Sequence, residues 1–475
     1  MAEVLEPDIC VIGAGSGGLS VAAAAAAFGV PVVLIERGRM GGDCLNYGCV
    51  PSKSLLAAAR HAMGLARGPE LGVTSAPVAV DFRKVRDHVR GVVAAIAPND
   101  SKERFTALGV RVIAGSARFT EATTVKVGDA LTIQARRFVI ATGSSPVIPP
   151  IPGLAEVPYL TNETIFDLGE CPRHLVVIGA GPVGLELAQA FRALGSNVTV
   201  VEAATPLAQE DPECAAVVLD QLARDGVEIR SGVAITRVDH AGGKVQVVIT
   251  GPAGAETIAG SHLLVAVGRA PNVADLGLDK AGIAVERNGV VVDKRLRTTN
   301  RRVYAVGDVA GGPGFTHVAN YHAGLVIRQA LFRLPVRVNH DNVPRVTFTQ
   351  PELAHVGLSE AQARRSNLRF RVLRWPYHEN DRAQAERATA GHIKVIVTHR
   401  GRVLGATIAG RNAGELIATW TLAVEQRLNI RAFAGTVVAY PTLAEIGKRA
   451  AVTYFAPNLT SPLVRRIIAW LRRFG

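Results

Sequence analysis

The chain has 475 residues, a net charge of +13 and five cysteines, which is enough length for about three domains. No apolar run reaches the roughly eighteen residues that a membrane-spanning helix needs, and a strand begins almost at the first residue, so we expect neither a membrane span nor a signal peptide. Arginines scattered along the whole chain supply the positive charge, which argues against nucleic-acid binding. A cytoplasmic protein is expected.

The first predicted elements form a dinucleotide-binding unit. Residues 8–12 predict a buried strand, the glycine-rich run 13–18 follows, and an alanine-rich helix extends to Phe28; the next strand, residues 32–35, ends at Glu36. The glycines of this first fingerprint are Gly13, Gly15 and Gly18. Glycines in this pattern let backbone N–H groups meet a pyrophosphate at a helix N-terminus, and the acid about twenty residues on binds the adenosine ribose.

Two cysteines, Cys44 and Cys49, stand close together in the glycine-rich segment 41–53, which opens a helix. We interpret them as a redox-active pair, because a thiolate can attack a neighbouring sulfur and a helix N-terminus lowers a thiol pKa. Two ordinary buried thiols are the alternative. A zinc site needs about four ligands, and no second Cys/His pair stands at matching spacing, so no resident metal is expected.

The dinucleotide-binding pattern occurs a second time. A strand at 175–178 leads into a helix that runs to Leu194, and the strand 198–201 ends at Glu202. The glycines of this second fingerprint are Gly179, Gly181 and Gly184. Two fingerprints imply two dinucleotides, and a flavin in one site with a nicotinamide in the other would pass electrons from a hydride to a disulfide.

Glu202 predicts which nicotinamide is preferred. A carboxylate at the end of that strand accepts a hydrogen bond from the ribose 2′-OH and repels a 2′-phosphate, and residues 203–206 bring no arginine to offset it. We therefore expect NADH to be preferred over NADPH.

The segments between and after the fingerprints give weaker signals. Residues 55–135 read as mixed helix and strand, while 138–144 and 263–269 each predict a strand that ends in a tight turn. Prolines between 146 and 152 mark a domain boundary, and residues 303–308 predict a strand that ends in Gly-Asp.

The pattern changes after Asn339. Short apolar runs predict an antiparallel sheet, with strands at 346–348, 371–373, 393–397 and 402–406. Helices are predicted at 415–427 and 443–450, and no chemistry is readable from these elements alone. An amphipathic helix at 463–474 ends the chain; we expect it to dock onto the protein's own dimer, and contact with an anionic membrane is the alternative.

Taken together, these motifs resemble the class I pyridine nucleotide-disulfide oxidoreductases, the family of dihydrolipoamide dehydrogenase, glutathione reductase and mercuric reductase. The resemblance implies an α/β homodimer with two Rossmann-like domains, for FAD and NAD, and a C-terminal α+β dimerisation domain. The expected parts are an FAD-binding domain at 1–148 with a return segment at 272–340, an NAD-binding domain at 149–271 and a dimerisation domain at 341–475.

The same resemblance assigns cofactor-binding residues. FAD would bind at the first fingerprint and Glu36, with Asp308 on the ribityl chain and the Thr142–Gly143 turn close by. The nicotinamide dinucleotide would bind at the second fingerprint, Glu202 and Gly268.

The resemblance also assigns roles around the cysteine pair. Cys44 would be the interchange thiol and Cys49 the charge-transfer thiol against the flavin. Lys53 matches the family lysine near flavin N5, and Glu186 matches its carboxylate partner, since a buried ammonium needs one. The alternative for Lys53 and Glu186 is that each is an ordinary charged side chain on the solvated face of a helix.

One position departs from the family pattern. Family disulfide reductases carry His-Pro-Thr and then an acid, whereas this chain has Tyr440-Pro441-Thr442 followed by Glu445. A phenol with a pKa near 10 can donate a proton but is a poor base at neutral pH, which argues against efficient oxidation of dihydrolipoamide. Tyr440 could equally be a packing residue at a dimer interface, and His317 or His322 could substitute as the base.

The runs 190–196 and 314–319 are closer to the mercuric-reductase branch, yet that branch ends in a vicinal cysteine pair and this chain has no cysteine beyond Cys214. Hg(II) could reach only Cys44 and Cys49. Cys10 is expected in the core, and Cys171 and Cys214 have no readable partner.

Three functions follow from this pattern. The leading hypothesis is an FAD enzyme that passes electrons from NADH through the cysteine pair to a disulfide or dithiol acceptor. A metal-ion reductase of the mercuric type is the second, and a low-turnover NADH-sensing flavoprotein is the third.

Overall fold

The computed structural model describes residues 3–74, 79–252 and 254–474. The chain forms two compact units, each built from several segments. The first unit comprises Met1–Gly179, Ala190–Ala203 and Val233–His340. The second unit comprises Ala180–Gln189, Ala204–Gly232 and Asp341–Gly475.

A five-stranded parallel sheet forms the centre of the first unit. In spatial order its strands are Val303–Ala305, Arg137–Ile140, Ile9–Ile12, Val32–Glu36 and Val110–Ala114. Ile9 and Val11 pack into the core on one face, and Cys10 and Ile12 pack into the core on the other. Because both faces of the sheet are covered, its strands are apolar throughout and do not alternate with polar residues.

Helices cover this sheet and carry the predicted site. The helix Ser16–Ala27 follows the first fingerprint, and the helix Thr316–Ala330 packs beside it in the same core. The remaining helices of the first unit are Gly42–Asn46, Cys49–Ala66, Phe82–Ile96 and Lys102–Ala107. Short 3₁₀ helices in this unit are Gly68–Leu71, Ala97–Asp100, Leu154–Glu156, Ile165–Asp167 and Gly307–Ala310.

Smaller sheets complete the first unit. A four-stranded sheet contains Glu3–Leu5, Leu131–Ile133, Thr124–Val127 and Ala117–Glu121. An antiparallel meander contains Ala234–Ala241, Lys244–Gly251 and Gly254–Gly260. Two ribbons pair Ser144–Pro146 with Arg269–Pro271 and Val285–Glu286 with Gly289–Val290.

The second fingerprint follows a strand of another parallel sheet. The strand His174–Ile178 pairs in parallel with Asn197–Glu202 on one side and with His262–Val265 on the other. The chain then enters the helix Pro182–Ala193, whose residues up to Gln189 belong to the second unit. These elements lie where the apolar runs around 175, 198 and 263 predict them.

A five-stranded antiparallel sheet forms the centre of the second unit. In spatial order its strands are Arg345–Thr347, Glu352–Gly357, Val403–Gly410, His392–Thr398 and Phe370–Pro376. The strand Val227–Ser231 and the 3₁₀ helix Tyr377–Glu379 also belong to this unit. Its other helices are Pro212–Arg224, Glu360–Arg365, Asp381–Ala385, Ala413–Glu425, Ile430–Gly435, Glu445–Thr453, Ala456–Thr460 and Pro462–Leu471. None of the helices in the described part of the chain is long and apolar enough to cross a membrane.

The sequence does not predict the strand Glu352–Gly357, although it lies inside this sheet. Its apolar pattern is interrupted by His355, which is 1% exposed. The imidazole lies 2.8 Å from Thr407 Oγ1 and 2.9 Å from the Gly357 carbonyl oxygen. Burial lowers the pKa of His355 to about 4, so a polar residue becomes a neutral core side chain.

A buried ionic cluster lies at one side of the second unit. Lys394, 3% exposed, donates to Asp211 Oδ2 at 2.8 Å and pairs with Glu360 Oε2 at 2.7 Å and Glu213 Oε1 at 3.1 Å. Arg374 donates two hydrogen bonds to the Glu213 carboxylate, at 2.8 and 3.0 Å. The Arg374 bonds hold the pKa of Glu213 at about 2. Lys394 is thus fully partnered by carboxylates, as a buried ammonium must be.

Candidate redox site

The two clustered cysteines belong to consecutive helices. Cys44 lies in the short helix Gly42–Asn46, and Cys49 is the first residue of the helix Cys49–Ala66. Cys44 is half-buried and Cys49 is exposed. A side-chain hydrogen bond joins them. The two side chains are therefore close enough to interact directly, as a redox-active pair must be.

The two thiols have very different acidities. The hydrogen bond from Cys44 is the largest effect that lowers the pKa of Cys49, to about 6, with Thr316 and Lys53 acting in the same direction against the effect of burial. The same hydrogen bond and burial raise the pKa of Cys44 well above its usual range. At neutral pH Cys49 is a thiolate and Cys44 keeps its proton.

A second helix also begins at the Cys49 sulfur. Thr316 Oγ1 lies 3.5 Å from Cys49 Sγ, and Thr316 is the first residue of the helix Thr316–Ala330, which has no side-chain cap. Cys49 itself begins a helix that also lacks a side-chain cap. Two helix N-termini at one sulfur favour its negative charge. No local pattern in the sequence brings residue 316 to residue 49, so sequence analysis missed this contact.

The first fingerprint has the features of a dinucleotide site. Gly15 caps the helix Ser16–Ala27 without a side-chain hydrogen bond, and the first turn holds no acidic residue. Glu36 Oε2 accepts from the Ala14 N–H at 2.6 Å, and its Oε1 accepts from the Gly38 N–H at 2.7 Å. An uncapped helix N-terminus suits a pyrophosphate, and Glu36 stands beside it at the end of its strand. These residues fit FAD.

The two fingerprints repeat one backbone geometry. Gly13 has φ +105° and Gly179 has φ +108°. A Cβ on Gly13 would lie 2.4 Å from the Ala141 carbonyl oxygen, and a Cβ on Gly179 would lie 2.5 Å from that of Ala266. In both places the strand end approaches the neighbouring strand too closely for any side chain, so only glycine fits.

A hydrogen-bonded network connects the cysteine helix with the Gly-Asp segment. Asp308 Oδ2 accepts from Ser144 Oγ at 2.6 Å, and Ser144 in turn accepts from Arg269 Nε at 2.8 Å. Arg269 also donates to the Ser144 carbonyl at 2.7 Å and forms an ion pair with Asp43 at 3.0 Å. Asn162 donates to the same Asp43 carboxylate at 3.2 Å. The sequence motifs predict a role for Asp308 but none for Ser144, Arg269, Asn162 or Asp43.

The Thr142–Gly143 turn is held by one asparagine. Thr142 Oγ1 donates to the Asn272 carbonyl at 2.7 Å, Asn272 Nδ2 donates to the Thr142 carbonyl at 2.9 Å, and the Asn272 N–H donates to the Gly143 carbonyl at 2.9 Å. The predicted flavin-side turn is thus fixed by a residue that sequence analysis did not select.

The predicted nicotinamide residues belong to different units. Gly179, Glu202 and Gly268 lie in the first unit, and Glu202 is the last residue of its strand. Gly181 and Gly184 lie in the second unit. Their common role in binding NAD stays a prediction.

Lys53 and Glu186 also belong to different units. Lys53 Nζ donates to Ser52 Oγ at 3.3 Å, and its charge helps lower the pKa of Cys49. Glu186 is 5% exposed, and its Oε1 accepts from the Phe348 N–H at 2.8 Å. The pairing of Lys53 with Glu186 stays a prediction.

Tyr440, at the family histidine position, forms a hydrogen bond with an acidic side chain. Its side chain is 68% exposed, and its hydroxyl donates to Asp381 Oδ2 at 2.8 Å. This hydrogen bond raises the pKa of Tyr440 above its usual value. Glu445 begins the helix Glu445–Thr453. A phenol whose proton is held by a carboxylate is neither a base nor a ready proton donor.

The two candidate substitute bases have different surroundings. His322 is fully buried, its Nδ1 accepts from the Gly307 N–H at 3.2 Å, and burial lowers its pKa to about 4. His317 stacks on Phe315 with ring centroids 5.1 Å apart, and its role as a substitute base stays a prediction. The suggestion that His322 acts as a base is therefore wrong, because its acceptor nitrogen already binds the backbone.

The other three cysteines each have different surroundings. Cys10 is fully buried in the central strand, as predicted, and burial raises its pKa. Cys171 Sγ lies 3.2 Å from Ser196 Oγ, and burial raises its pKa too. Cys214 is buried, with its Sγ 3.4 Å from His392 Nε2.

A close cysteine pair and a fingerprint that fits FAD are the features of a flavin-dependent oxidoreductase, and comparison with known proteins agrees. Residues 7–323 match the family described as pyridine nucleotide-disulphide oxidoreductase, and residues 343–451 match the dimerisation domain of that family. The chain belongs to the class I pyridine nucleotide-disulfide oxidoreductases, which are FAD-dependent. The dimerisation domain supports a homodimer.

Individual relatives carry different activities. A mercuric reductase from Bacillus cereus is 38% identical over 453 residues, covering 94% of this chain and 71% of the relative. A dihydrolipoyl dehydrogenase from Geobacillus stearothermophilus is 35% identical over 454 residues, covering 94% and 96%. The flavoprotein disulfide reductase RclA from Escherichia coli superposes with a TM-score of 0.84 at 31% identity, covering 94% and 99%. The chain is thus an FAD-dependent oxidoreductase of the same family as these proteins.

Proposed function

We propose that this enzyme uses NADH to reduce a small thiophilic metal cation, for which Hg(II) is the probe, at Cys44 and Cys49. Its overall reaction is NADH + Hg(II) → NAD⁺ + H⁺ + Hg(0). The observation that carries the proposal is the Tyr440 hydroxyl, which donates to Asp381 and so supplies neither a base nor a ready proton donor for thiol–disulfide exchange. A thiophilic cation needs no such group, because metal binding itself displaces thiol protons.

The acidities of the cysteine pair support a cation as substrate. Cys49, with a pKa of about 6, presents a thiolate at neutral pH. Only the proton of Cys44 must leave when a cation binds both sulfurs. Thiolate sulfur is the ligand that soft cations prefer. FAD, when bound, supplies the two-electron carrier between the nicotinamide and the site.

A disulfide acceptor is the second candidate, in the reaction NADH + H⁺ + RSSR → NAD⁺ + 2 RSH. The comparisons favour it, because a dihydrolipoyl dehydrogenase and a flavoprotein disulfide reductase are among the similar proteins.

The nicotinamide preference rests on Glu202. Its carboxylate ends the strand Asn197–Glu202, where it would accept a hydrogen bond from a ribose 2′-OH and repel a 2′-phosphate. We expect NADH to give the higher kcat/KM. A clear preference for NADPH in steady-state titrations would contradict this assignment.

The domain assignment and the cellular location complete the proposal. Residues 1–148 and 272–340 would hold FAD, residues 149–271 would hold the nicotinamide, and residues 341–475 would form the dimer. The cytoplasm is the proposed compartment, because a reducing environment keeps the cysteine pair available for turnover.

The test is an acceptor screen on the purified yellow holoenzyme under anaerobic conditions. NADH oxidation is followed with Hg(II) in excess thiol, with lipoamide and with other small disulfides. We expect Hg(II) to support the fastest turnover and Cys44→Ser to abolish it, while Cys171→Ser, which removes a half-buried thiol outside the site, keeps it. Turnover with disulfides alone would select the second candidate, and no turnover with any acceptor would favour an NADH-sensing role.

A further inference from the structure

The last helix of the chain, Pro462–Leu471, which we call the tail helix, leaves its apolar side chains in solvent. Its large apolar residues and the phenylalanine that follows it are each 47–70% exposed: Leu463, Ile467, Ile468, Trp470, Leu471 and Phe474. The Trp470 and Phe474 rings pack edge to face, with centroids 4.8 Å apart. A contiguous apolar surface of this kind marks an interaction site.

The charges of this segment are segregated from its apolar side. At 3.6 residues per turn the apolar residues share one side of the helix, and the other side carries Arg465, Arg466, Arg472 and Arg473. No Asp or Glu follows Glu445 in the sequence. The segment is thus an amphipathic helix with an entirely cationic polar side.

A second tail helix fits this surface poorly. If the two tail helices of a two-fold pair met each other, the four arginines of one would approach those of the other without any acid in either helix, and such like-charge contact is unfavourable. The match to the family's dimerisation domain also ends at residue 451, before the tail helix begins.

We propose that the tail helix binds the surface of an anionic phospholipid membrane. It would lie in the plane of the interface, with Ile467 and Trp470 among the acyl chains and the arginines at the phosphates. Tryptophan and arginine both suit this depth, because each joins an apolar body to a polar group.

The helix is already formed before it meets a membrane. Pro462 occupies its first position, and Ser461 Oγ accepts from the Val464 N–H at 3.5 Å. A proline at this position and a serine cap both favour a helix start. Binding therefore costs less conformational entropy than it would for a disordered segment.

The first test is flotation of the full-length holoenzyme with vesicles. We expect the protein to float with vesicles of equal parts phosphatidylglycerol and phosphatidylcholine, and not with phosphatidylcholine alone. Replacing Arg465, Arg466, Arg472 and Arg473 by glutamine should lower the partition coefficient by roughly fivefold per charge, and added salt should weaken wild-type binding.

A matched pair of substitutions tests the orientation. Ile467→Ser places serine on the apolar side, and Ala469→Ser places the same side chain on the polar side. We expect Ile467→Ser to lower the partition coefficient by about tenfold or more and Ala469→Ser by less than about twofold. NADH oxidation by ferricyanide, equal in all variants, controls for folding.

Three results would overturn the proposal. They are absence of wild-type binding to the mixed vesicles, equal effects of Ile467→Ser and Ala469→Ser, and a lower sedimentation mass for Ile467→Ser, which would assign the tail helix to contact between copies.

Discussion

Thr316 Oγ1 lies 3.5 Å from Cys49 Sγ. The N-terminus of a helix far along the chain therefore lies at the redox thiol. The hydroxyl, Lys53 and the hydrogen bond from Cys44 all favour the charged form of Cys49. Burial opposes them, yet the pKa of Cys49 falls to about 6. The acidity of this thiol is therefore a product of tertiary structure and can be tested one partner at a time.

Thr316→Val should raise the pKa of Cys49, because the isosteric side chain removes a hydrogen-bond donor to the thiolate. Cys44→Ala should raise it further, since the Cys44 hydrogen bond is the largest lowering effect. The measurement is the pH dependence of Cys49 alkylation, read by mass spectrometry. Ser54→Ala is the control, because that hydroxyl donates to the Val50 carbonyl and leaves the sulfur untouched. An unchanged midpoint in Thr316→Val would refute the contact.

Tyr440→Phe should leave Hg(II)-dependent NADH oxidation within about twofold of wild type, since the proposal gives the phenol no proton to transfer. The raised pKa of Tyr440 also predicts that its ionisation does not shape the pH–rate profile at and below pH 9. Tyr440→His introduces an imidazole and should raise turnover of small disulfides by about tenfold or more. A hundredfold loss in Tyr440→Phe would show that the phenol participates directly.

Arg269→Gln should loosen the flavin. The guanidinium holds Ser144, which donates to Asp308, and it pairs with Asp43 beside Cys44. Losing these charge-assisted hydrogen bonds should raise the FAD dissociation constant about tenfold, measured by recovery of free flavin fluorescence. Arg136→Gln, which removes an exposed ion pair with Asp8, is the control. Equal FAD retention in both variants would mean that the network does not support the flavin site.

Lys394→Met should destabilise the second unit by about 3–5 kcal/mol, because three acids lose their shared buried cation. Urea unfolding can be followed by tryptophan fluorescence, since Trp375, Trp420 and Trp470 all lie in this unit. Arg400→Met, which removes a charge from an exposed position, should have little effect. A loss of less than about 1 kcal/mol in Lys394→Met would contradict this prediction.

The ionic cluster around Lys394 also predicts that the folded protein loses stability at low pH. Glu213 has a folded-state pKa of about 2, below its ordinary value. Its ionised form therefore stabilises the folded protein fully above the ordinary carboxyl pKa, and the contribution is lost as the pH falls toward 2. Lys394→Met removes one cation from this carboxylate, so its acid unfolding should begin at a higher pH than that of the wild type.

Local patterns in the sequence predicted most of the fold but less of the site. The fingerprints at 13–18 and 179–184 were readable because glycine, strand period and a terminal acid occur within about thirty residues. The strand Glu352–Gly357 was missed because His355 is polar in sequence and neutral in the core. Thr316 and Arg269 were not recognised as parts of the site, because their contacts with Cys49 and Asp43 join segments separated by more than two hundred residues.

The pairing of Val303–Ala305 with Arg137–Ile140 also sets an order of events during synthesis. After Ile140 leaves the ribosome, roughly 160 more residues must follow before Val303 exists, which takes on the order of ten to thirty seconds at about 5–20 residues per second. Throughout this interval no strand is available to pair with this edge of Arg137–Ile140. A nascent chain stalled before residue 303 should therefore recruit chaperones at that edge, and release of the stall should end the recruitment.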